Sequence, residues 1–489
     1  MSAPARMLAC LAAALVLAGC GADRTLYAGG PILTVDGQDR VVEALGVEDD
    51  RIAFVGSRAD GEAWAAGRAR VVELEGRALV PGFIDAHGHF PGAGLYAVNA
   101  DLNSPPIGDV RNLDDLVERM RARAGELPEG EWVMGWGYDD TLLAEKRHPT
   151  RHDLDHATRQ HPVVCFHVSG HLVTVNSRAL ELLGITADTP DPEGGRIRRD
   201  PGSGEPDGVL EENAMMGVTG LLGEPSLSDS WQIVREGNRR YIAAGVTTAQ
   251  NGYAPEAHLT GLSWLARLGL IDARLVLWPG DEVAEAMREG RQSPRVSEGL
   301  HARVGAVKLI ADGSIQGYTG YLSQPYFVPP GDDPGFRGYP RIAREQLIDK
   351  VTRYHAAGWQ IAVHGNGDAS IDDILDAFEE AQRRTPRQDA RHIVIHAQMA
   401  RDDQLDRMAK LGVVPSFFVL HTYYWGDRHR EIFMGPERAR RMSPTRSAVQ
   451  RGVRFTLHCD SPVVPIEPLR LIWSAVNRRS SSGVPIGPE

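Results

Sequence analysis

Six residues of this 489-residue chain have the types and settings that bind metal ions. Asp85-Ala86-His87-Gly88-His89 closes an apolar run, and in an extended strand residues two apart point to the same side. His87 and His89 can therefore reach one ion together, with Gly88 letting the backbone come close. A bare His-x-His pair is weak evidence, but behind Val80-Pro81-Gly82-Phe83-Ile84-Asp85 it is much stronger. Lys308 lies inside Val304-Gly305-Ala306-Val307-Lys308-Leu309-Ile310, where burying a lysine is costly unless something pairs with it. Two uses are open. One is an ion pair with Asp312. The other is an amine of depressed basicity that reacts with carbon dioxide, giving a carbamate whose oxygens bridge two metals. His364 follows Val363, His396 follows Ile395, and Asp460 sits in His458-Cys459-Asp460-Ser461-Pro462. One histidine after an apolar run is more often structural than a ligand. Two at the same end of neighbouring strands are harder to dismiss. Imidazole and carboxylate suit zinc and similar ions. Six ligands are too many for one tetrahedral zinc, so two divalent ions are expected, with Asp460 both ligand and proton acceptor. His167 and His458 are read as structural.

Such residues need elements that bring them to one place. Apolar runs recur at residues 79–86, 246–250, 274–278, 304–310, 360–363, 392–395, 413–418 and 454–457, with amphipathic segments at 345–357, 369–384 and 402–411. Alternating strands and helices, with the strands apolar almost throughout, mean a parallel sheet covered on both faces. Eight units predict an α/β fold closed as a (β/α)8 TIM-type barrel. All six candidates then fall at or near strand C-terminal ends, where barrel active sites form. The chain between the first and second runs is too long for a structureless loop. It is read as an insertion over about 100–235. Residues 25–35, 44–55 and 71–80 are β-rich, punctuated by Asp36-Gly37 and Asp49-Asp50, and predict a small β domain over 21–80. The barrel is expected over 81–478 and a short tail over 479–489.

Composition excludes some classes. Apolar residues make up 42% and charged residues 24%, as in globular proteins. A formal charge of −12 argues against a nucleic-acid partner, which needs a basic face. No internal apolar run is long enough to span a membrane. Residues 1–20 read as an export signal: Arg6, an apolar run, then Leu17-Ala18-Gly19-Cys20. That tetrapeptide resembles a bacterial lipobox, which predicts lipidation of Cys20. The chain is then exported and touches a bacterial membrane only through that anchor, on its periplasmic or outer-membrane side. Gly21 in place of Asp favours the outer membrane by analogy with enterobacterial sorting. Cys10 and Cys20 belong to the leader, so Cys165 and Cys459 are expected as buried free thiols.

From about residue 24 to its end, the chain resembles the amidohydrolase superfamily. It is most similar to the amidohydrolase 3 branch, which includes N-substituted formamide deformylase-like proteins. The resemblance is carried by Pro81-Gly82-Phe83-Ile84-Asp85-Ala86-His87-Gly88-His89, Lys308 with Asp312-Gly313-Ser314, His364 with Gly367-Asp368, Ile395-His396-Ala397-Gln398, and Asp460-Ser461-Pro462. It implies that His87 and His89 bind the more buried metal and His364 and His396 the other. It also implies that a carboxylated Lys308 bridges them, and that Asp460 binds the buried metal and takes the water proton. The reaction implied is attack of a metal-bridged hydroxide on a carbonyl. It would cleave a C–N bond in a small-molecule amide, foremost an exocyclic N-acyl or N-formyl amine. A cyclic-amide hydrolase, a mononuclear deaminase-like enzyme with unmodified Lys308, and an inactive binding relic are the alternatives. Gly135-Trp136-Gly137-Tyr138-Asp139 and the segment from Ser169 to Ser177 resemble substrate-side segments of the branch, and His171 is the substrate-binding candidate. Members of the branch continue past the eighth strand and complete the N-terminal β domain with further strands. A chain ending at Glu489 is therefore expected to lack the C-terminal half of that domain.

Overall fold

The computed structural model of the chain describes residues 24–223, 225–292 and 294–488. The leader and Cys20 lie outside the described residues. Two compact units are present, one ending at Gly82 and one beginning at Phe83. The first holds a four-stranded sheet of β1 (Arg24–Leu33), β2 (Val41–Glu48), β3 (Arg51–Gly56) and β4 (Arg70–Glu73), ordered β3-β2-β1-β4. The β-rich stretch at 44–55 divides into two strands at Asp49-Asp50, as the sequence punctuation implies, with Asp49 in a left-handed turn conformation, φ 56°. Helix Arg58–Ala65 starts where the Ser57 side chain accepts from the Asp60 N–H. It buries Ala65 against Leu26, Ala28 and Ala44.

The run at 79–86 also divides. Leu79 bonds to Pro31 and Leu33 of the first unit. Pro81 has no N–H for a ladder, and only β5 (Phe83–Ile84) pairs in the second unit. Between β5 and its parallel neighbour lies a six-stranded mixed sheet. Its strands are β6 (Ala100–Asp101), β7 (Val133–Tyr138), β8 (Val163–His167), β9 (Leu172–Val175), β10 (Gly195–Arg199) and β11 (Pro206–Glu212), ordered β10-β11-β9-β8-β7-β6. Alternate residues bury opposite faces. Val163, Cys165 and Leu172 pack with Leu116 and Met120 on one side, and Val164, Val173 and Val175 pack with Leu180 and Val218 on the other.

The rest of the second unit alternates strand and helix: β12 (Val246–Ala254), β13 (Arg274–Pro279), β14 (Ala302–Val304), β15 (Val307–Ile310), β16 (Ile361–Gly365), β17 (Ile393–His396), β18 (Val414–Phe417) and β19 (Thr456–Leu457). They form two parallel sheets, ordered β14-β13-β12-β5 and β15-β16-β17-β18-β19. The run expected as one strand at 304–310 is interrupted at Gly305. The Trp278 ring lies where a Gly305 Cβ would be, and the Gly305 N–H turns to the Leu277 carbonyl at 2.8 Å. Local contacts link the edges of the sheets: Gly280 bridges to Lys308, and the Asp460 N–H donates to the His87 carbonyl at 3.2 Å. Helices Arg344–Ala356, Asp368–Arg384 and Asp402–Leu411 cover the second sheet. Ile371, Ile374, Leu375 and Phe378 form the inward stripe that 3.6-residue spacing requires. Cys165 and Cys459 are buried and free, as expected.

Candidate metal centre

Four elements fix the first half of the site. His87 leaves β5 fully buried, with its ring against Trp278 at a centroid distance of 5.5 Å. Its Nδ1 lies 2.9 Å from Gln250 Oε1 at the middle of β12. A carbonyl oxygen only accepts, so the hydrogen is on Nδ1 and Nε2 keeps a lone pair. That lone pair faces Lys308 Nζ at 3.0 Å and Asp460 Oδ1 at 3.5 Å. His89 Nε2 is 3.3 Å from the same oxygen. Asp460 Oδ1 is nevertheless buried with no well-aligned hydrogen bond. An imidazole lone pair and a carboxylate oxygen aimed at one another, inside the protein, fit a cation between them.

The second half is a row of rings. His364 Nε2 lies 3.1 Å from the Gly313 carbonyl and 3.0 Å from Asn366 Nδ2, and its Nδ1 faces His396 Nε2 at 3.0 Å. His396 Nδ1 meets His458 Nε2 at 3.1 Å, and His458 Nδ1 meets Ser416 Oγ at 2.8 Å. His396 Nε2 is 3.9 Å from Asp460 Oδ2, which joins the two halves. The side chains of His87, His396 and Asp460 could share one ion. Three residues here adopt left-handed backbone conformations without being glycine: His396 (φ 69°), Ala397 (φ 44°) and Asp460 (φ 54°). Such strain concentrates at functional sites.

Electrostatics follow from this enclosure. Burial lowers the Lys308 ammonium to about 7, although Asp460 opposes the shift. Burial alone would raise the Asp460 carboxyl, but the contact with His89 Nε2 is foremost in outweighing it, and the group is held well below its ordinary value. Burial also keeps His87, His364 and His396 neutral by lowering each well below the usual imidazole value. Neutral imidazoles, an ionised carboxylate and a lysine that gives up its proton near neutrality are ligands in the state metal binding needs.

All six sequence candidates are therefore joined, directly or through a neighbour. The ion pair between Lys308 and Asp312 does not form. Asp312 instead accepts from the N–H groups of Tyr321, Asn366 and Gly367 at 2.9, 3.0 and 2.9 Å. It ties the loop after β15 to the end of β16. His171 comes from the inserted sheet and sets its ring 4.8 Å from that of His364. Asp139, Asp140 and His167 form a second cluster with metal-binding geometry. Its oxygens are taken: Asp139 accepts from Trp425 Nε1 and Arg428 Nη1, and Asp140 meets His167 Nε2 at 3.2 Å.

Strand ends that present histidines, a lysine and an aspartate around one polar core are the layout of a metal-dependent hydrolase. The chain belongs to the amidohydrolase family, whose model matches residues 70–488. It is 29% identical over 471 residues to an N-substituted formamide deformylase of Arthrobacter pascens, covering 94% of this chain and 84% of that one. Its structure resembles that of an uncharacterized metal-dependent hydrolase from Pyrococcus furiosus, with a TM-score of 0.69 and 26% identity over 93% of this chain and 89% of that one. A Pyrococcus horikoshii OT3 counterpart shares the fold at a TM-score of 0.71 and 24% identity, over 93% and 86% of the two chains. The protein is a metal-dependent hydrolase acting on C–N bonds.

Sequence reasoning passed over three residues that the geometry brings in. Gln250 fixes the His87 tautomer, and its only sequence signal was a polar residue following an apolar run. His458, read as structural, is hydrogen-bonded to His396. Glu212 holds His171 through Oε2 at 3.0 Å and had no sequence signal.

Proposed function

We propose that the chain is a binuclear metal-dependent amidohydrolase built on a (β/α)8 barrel, and that it hydrolyses exocyclic amides of the N-acyl or N-formyl amine type. The two parallel sheets are read as two arcs of the barrel. The observation that carries the reading is the convergence of four histidines, Lys308 and Asp460, from the ends of β5, β15, β16, β17 and β19, on one buried polar cluster. In this reading His87, His89 and Asp460 hold one divalent ion, and His364 Nδ1 and His396 Nε2 hold the other. Lys308 Nζ would bond to the carbon of carbon dioxide with loss of a proton, and the carbamate would add anionic oxygen donors to the site. Bound there, two zinc ions would supply Lewis-acid activation of water and of the scissile carbonyl.

The chain's own residues supply the rest. Asp460 Oδ1, buried and beside His87 and His89, is the group that would take the proton the attacking water gives up and return it to the leaving nitrogen. Gln250 keeps His87 in one tautomer. Similarity to a formamide deformylase supports N-formyl and N-acyl amines as the substrate class.

Metal analysis tests the reading. The reconstituted protein should hold about two equivalents of divalent metal, matching the two donor groups a binuclear hydrolase needs. Lys308→Ala should hold the second ion weakly, with partial rescue by short carboxylic acids. One equivalent or none in the reconstituted wild type would end the binuclear reading.

A further inference from the structure

A cavity of about 460 Å³ lies where the inserted sheet meets the C-terminal ends of β13 and β15. Lys308 forms part of its wall, and Lys308 Nζ is 3.0 Å from His87 Nε2, so the cavity adjoins the metal cluster. Met216 and Ile342 give it apolar surface. Arg341 gives it a positive charge that does not depend on pH, since a guanidinium stays protonated in proteins.

Arg341 is fastened from behind. Its backbone N–H donates to the Ala311 carbonyl at 2.8 Å, just past the end of β15. Its Nε donates to Asn213 Oδ1 at 2.8 Å, just past the end of β11. Glu212 Oε2 lies 3.6 Å from Nη1, and Met216 Sδ lies 3.8 Å from Nη2. Nη1 and Nη2 carry four of the five N–H groups, and among the described residues neither reaches an oxygen within hydrogen-bond distance. The side chain is only 19% exposed, so water does little to satisfy that fork. A planar carboxylate satisfies it with two parallel N–H···O bonds. The carboxylates of the same wall are placed elsewhere. Asp281 is held by Lys350 Nζ and by the Tyr354 hydroxyl, each at 2.8 Å, and Glu193 and Glu282 are exposed to water.

We propose that Arg341 binds a carboxylate of the substrate, so that the enzyme prefers N-acyl or N-formyl amines that carry one, as N-acylated amino acids do. The inference rests on the amide-hydrolase reading above and adds to it an anionic group away from the scissile bond.

Three formamides of one alkyl skeleton test it, ending in a carboxylate, a methyl group and an ammonium group. They are assayed with metal-replete wild type, Arg341→Met and Arg341→Lys, with metal content and melting temperature measured on each. Wild type should favour the carboxylate over the neutral formamide roughly tenfold or more in kcat/KM, the range for a hydrogen bond to a charged group. The preference should fall chiefly on KM, because a group away from the scissile bond is held alike in the ground and transition states. Arg341→Met should lower the ratio roughly tenfold. Arg341→Lys keeps the charge without the fork and should lower it less, by about threefold or more. A loss of metal or of folding lowers all three rates together and leaves the ratios in place. If Arg341→Met does not fold, the wild type and Arg341→Lys still decide. Three results would each overturn the proposal and leave the amide reading standing. One is a wild type that treats the carboxylate and neutral formamides within about threefold of one another, less than such a bond is worth. The second is a preference for the ammonium compound. The third is a carboxylate preference unchanged in a folded, metal-replete Arg341 variant. A metal-replete wild type that turns over no amide of a broad panel, whatever its charge, would overturn the amide reading itself, and this proposal with it.

Discussion

Buried histidines gather at both ends of the parallel strands, and the two gatherings differ in how their protons are placed. At the N-terminal end of β17, His355 donates from Nε2 to the Thr385 carbonyl at 2.7 Å and accepts at Nδ1 from His392 Nε2 at 2.7 Å. His392 Nδ1 accepts from the Ile361 N–H at 3.1 Å. The carbonyl can only accept and the amide can only donate, so the row has one solution with both rings neutral. At the C-terminal end the row runs from the Gly313 carbonyl through His364, His396 and His458 to Ser416. A hydroxyl can donate or accept, so this row has two solutions. His396 can keep a hydrogen on Nε2. Alternatively, it can move that hydrogen to Nδ1, give it to His458, and free Nε2 for a metal. Around this row lie buried atoms without partners, Asp460 Oδ1, Asn366 Oδ1 and His421 Nδ1 among them. A closed row is architecture. A reversible row with spare acceptors can take in a cation and still leave every ring nitrogen matched.

Removing Asp460, the proposed proton acceptor of the open cluster, should have the largest effect. Asp460→Asn should keep most of the fold and lower kcat by about a hundredfold or more, with KM changed much less, the range for losing a general acid-base group. Asparagine still offers an oxygen to a metal but takes no proton. Metal content has to be measured alongside. A metal-replete variant with near wild-type turnover would show that another group moves the proton.

His458 should have an intermediate effect. If the reversible row orients His396, His458→Phe should weaken metal binding about ten- to a hundredfold, as loss of an outer hydrogen-bond partner does. His458→Gln should weaken it less, since its amide oxygen can still accept from His396 Nδ1. Competition with a chelator reads both. Wild-type affinity in His458→Phe would place His458 on the architectural side of the comparison.

What could be read from the amino acids alone follows the same division. The strands β16 and β17 were legible because short apolar runs ended in ligand-type residues, and a polar group after an apolar run has few reasons to be there. The split of the run at 304–310 was hidden because it depends on Trp278, a residue of another strand pressing on Gly305. The mixed sheet of the inserted region was hidden because β6 and β9 are short and its pairing is partly parallel, partly antiparallel. Candidate ligands could be proposed singly, since each lies in or just after an apolar strand run. Glu212, Gln250 and His458 could not, since each matters only through a partner far along the chain. His392 was read as the start of a strand, and nothing in the sequence linked it to His355.

The smallest expected effect belongs to that closed row, and it should appear as a slope. Burial first, then His355 and Arg387, lower the His392 imidazole to about 3, and burial lowers His355 too. Phe378 stacks on the His392 ring at a centroid distance of 4.8 Å, and Arg387 binds the His355 and Trp359 carbonyls, so the surroundings offer no carboxylate to a protonated ring. The unfolded chain binds a proton on each histidine near the ordinary value of about 6.5, whereas the folded chain does not. Stability from the pair is thus fully present above about 6.5 and is lost as the pH falls from there toward 3. His392→Gln keeps a donor for His355 Nδ1 and removes one titrating ring. The variant should be somewhat less stable than wild type at pH 8, from poorer packing against Phe378. The difference should then narrow as the pH is lowered through 6 and 5, because wild type has more to lose. Denaturant unfolding at a series of pH values measures it, on metal-free protein so that proton release from the open cluster does not enter. Parallel stability curves for the two proteins would mean that the row is not proton-linked, and would remove the distinction drawn between the two ends of the strands.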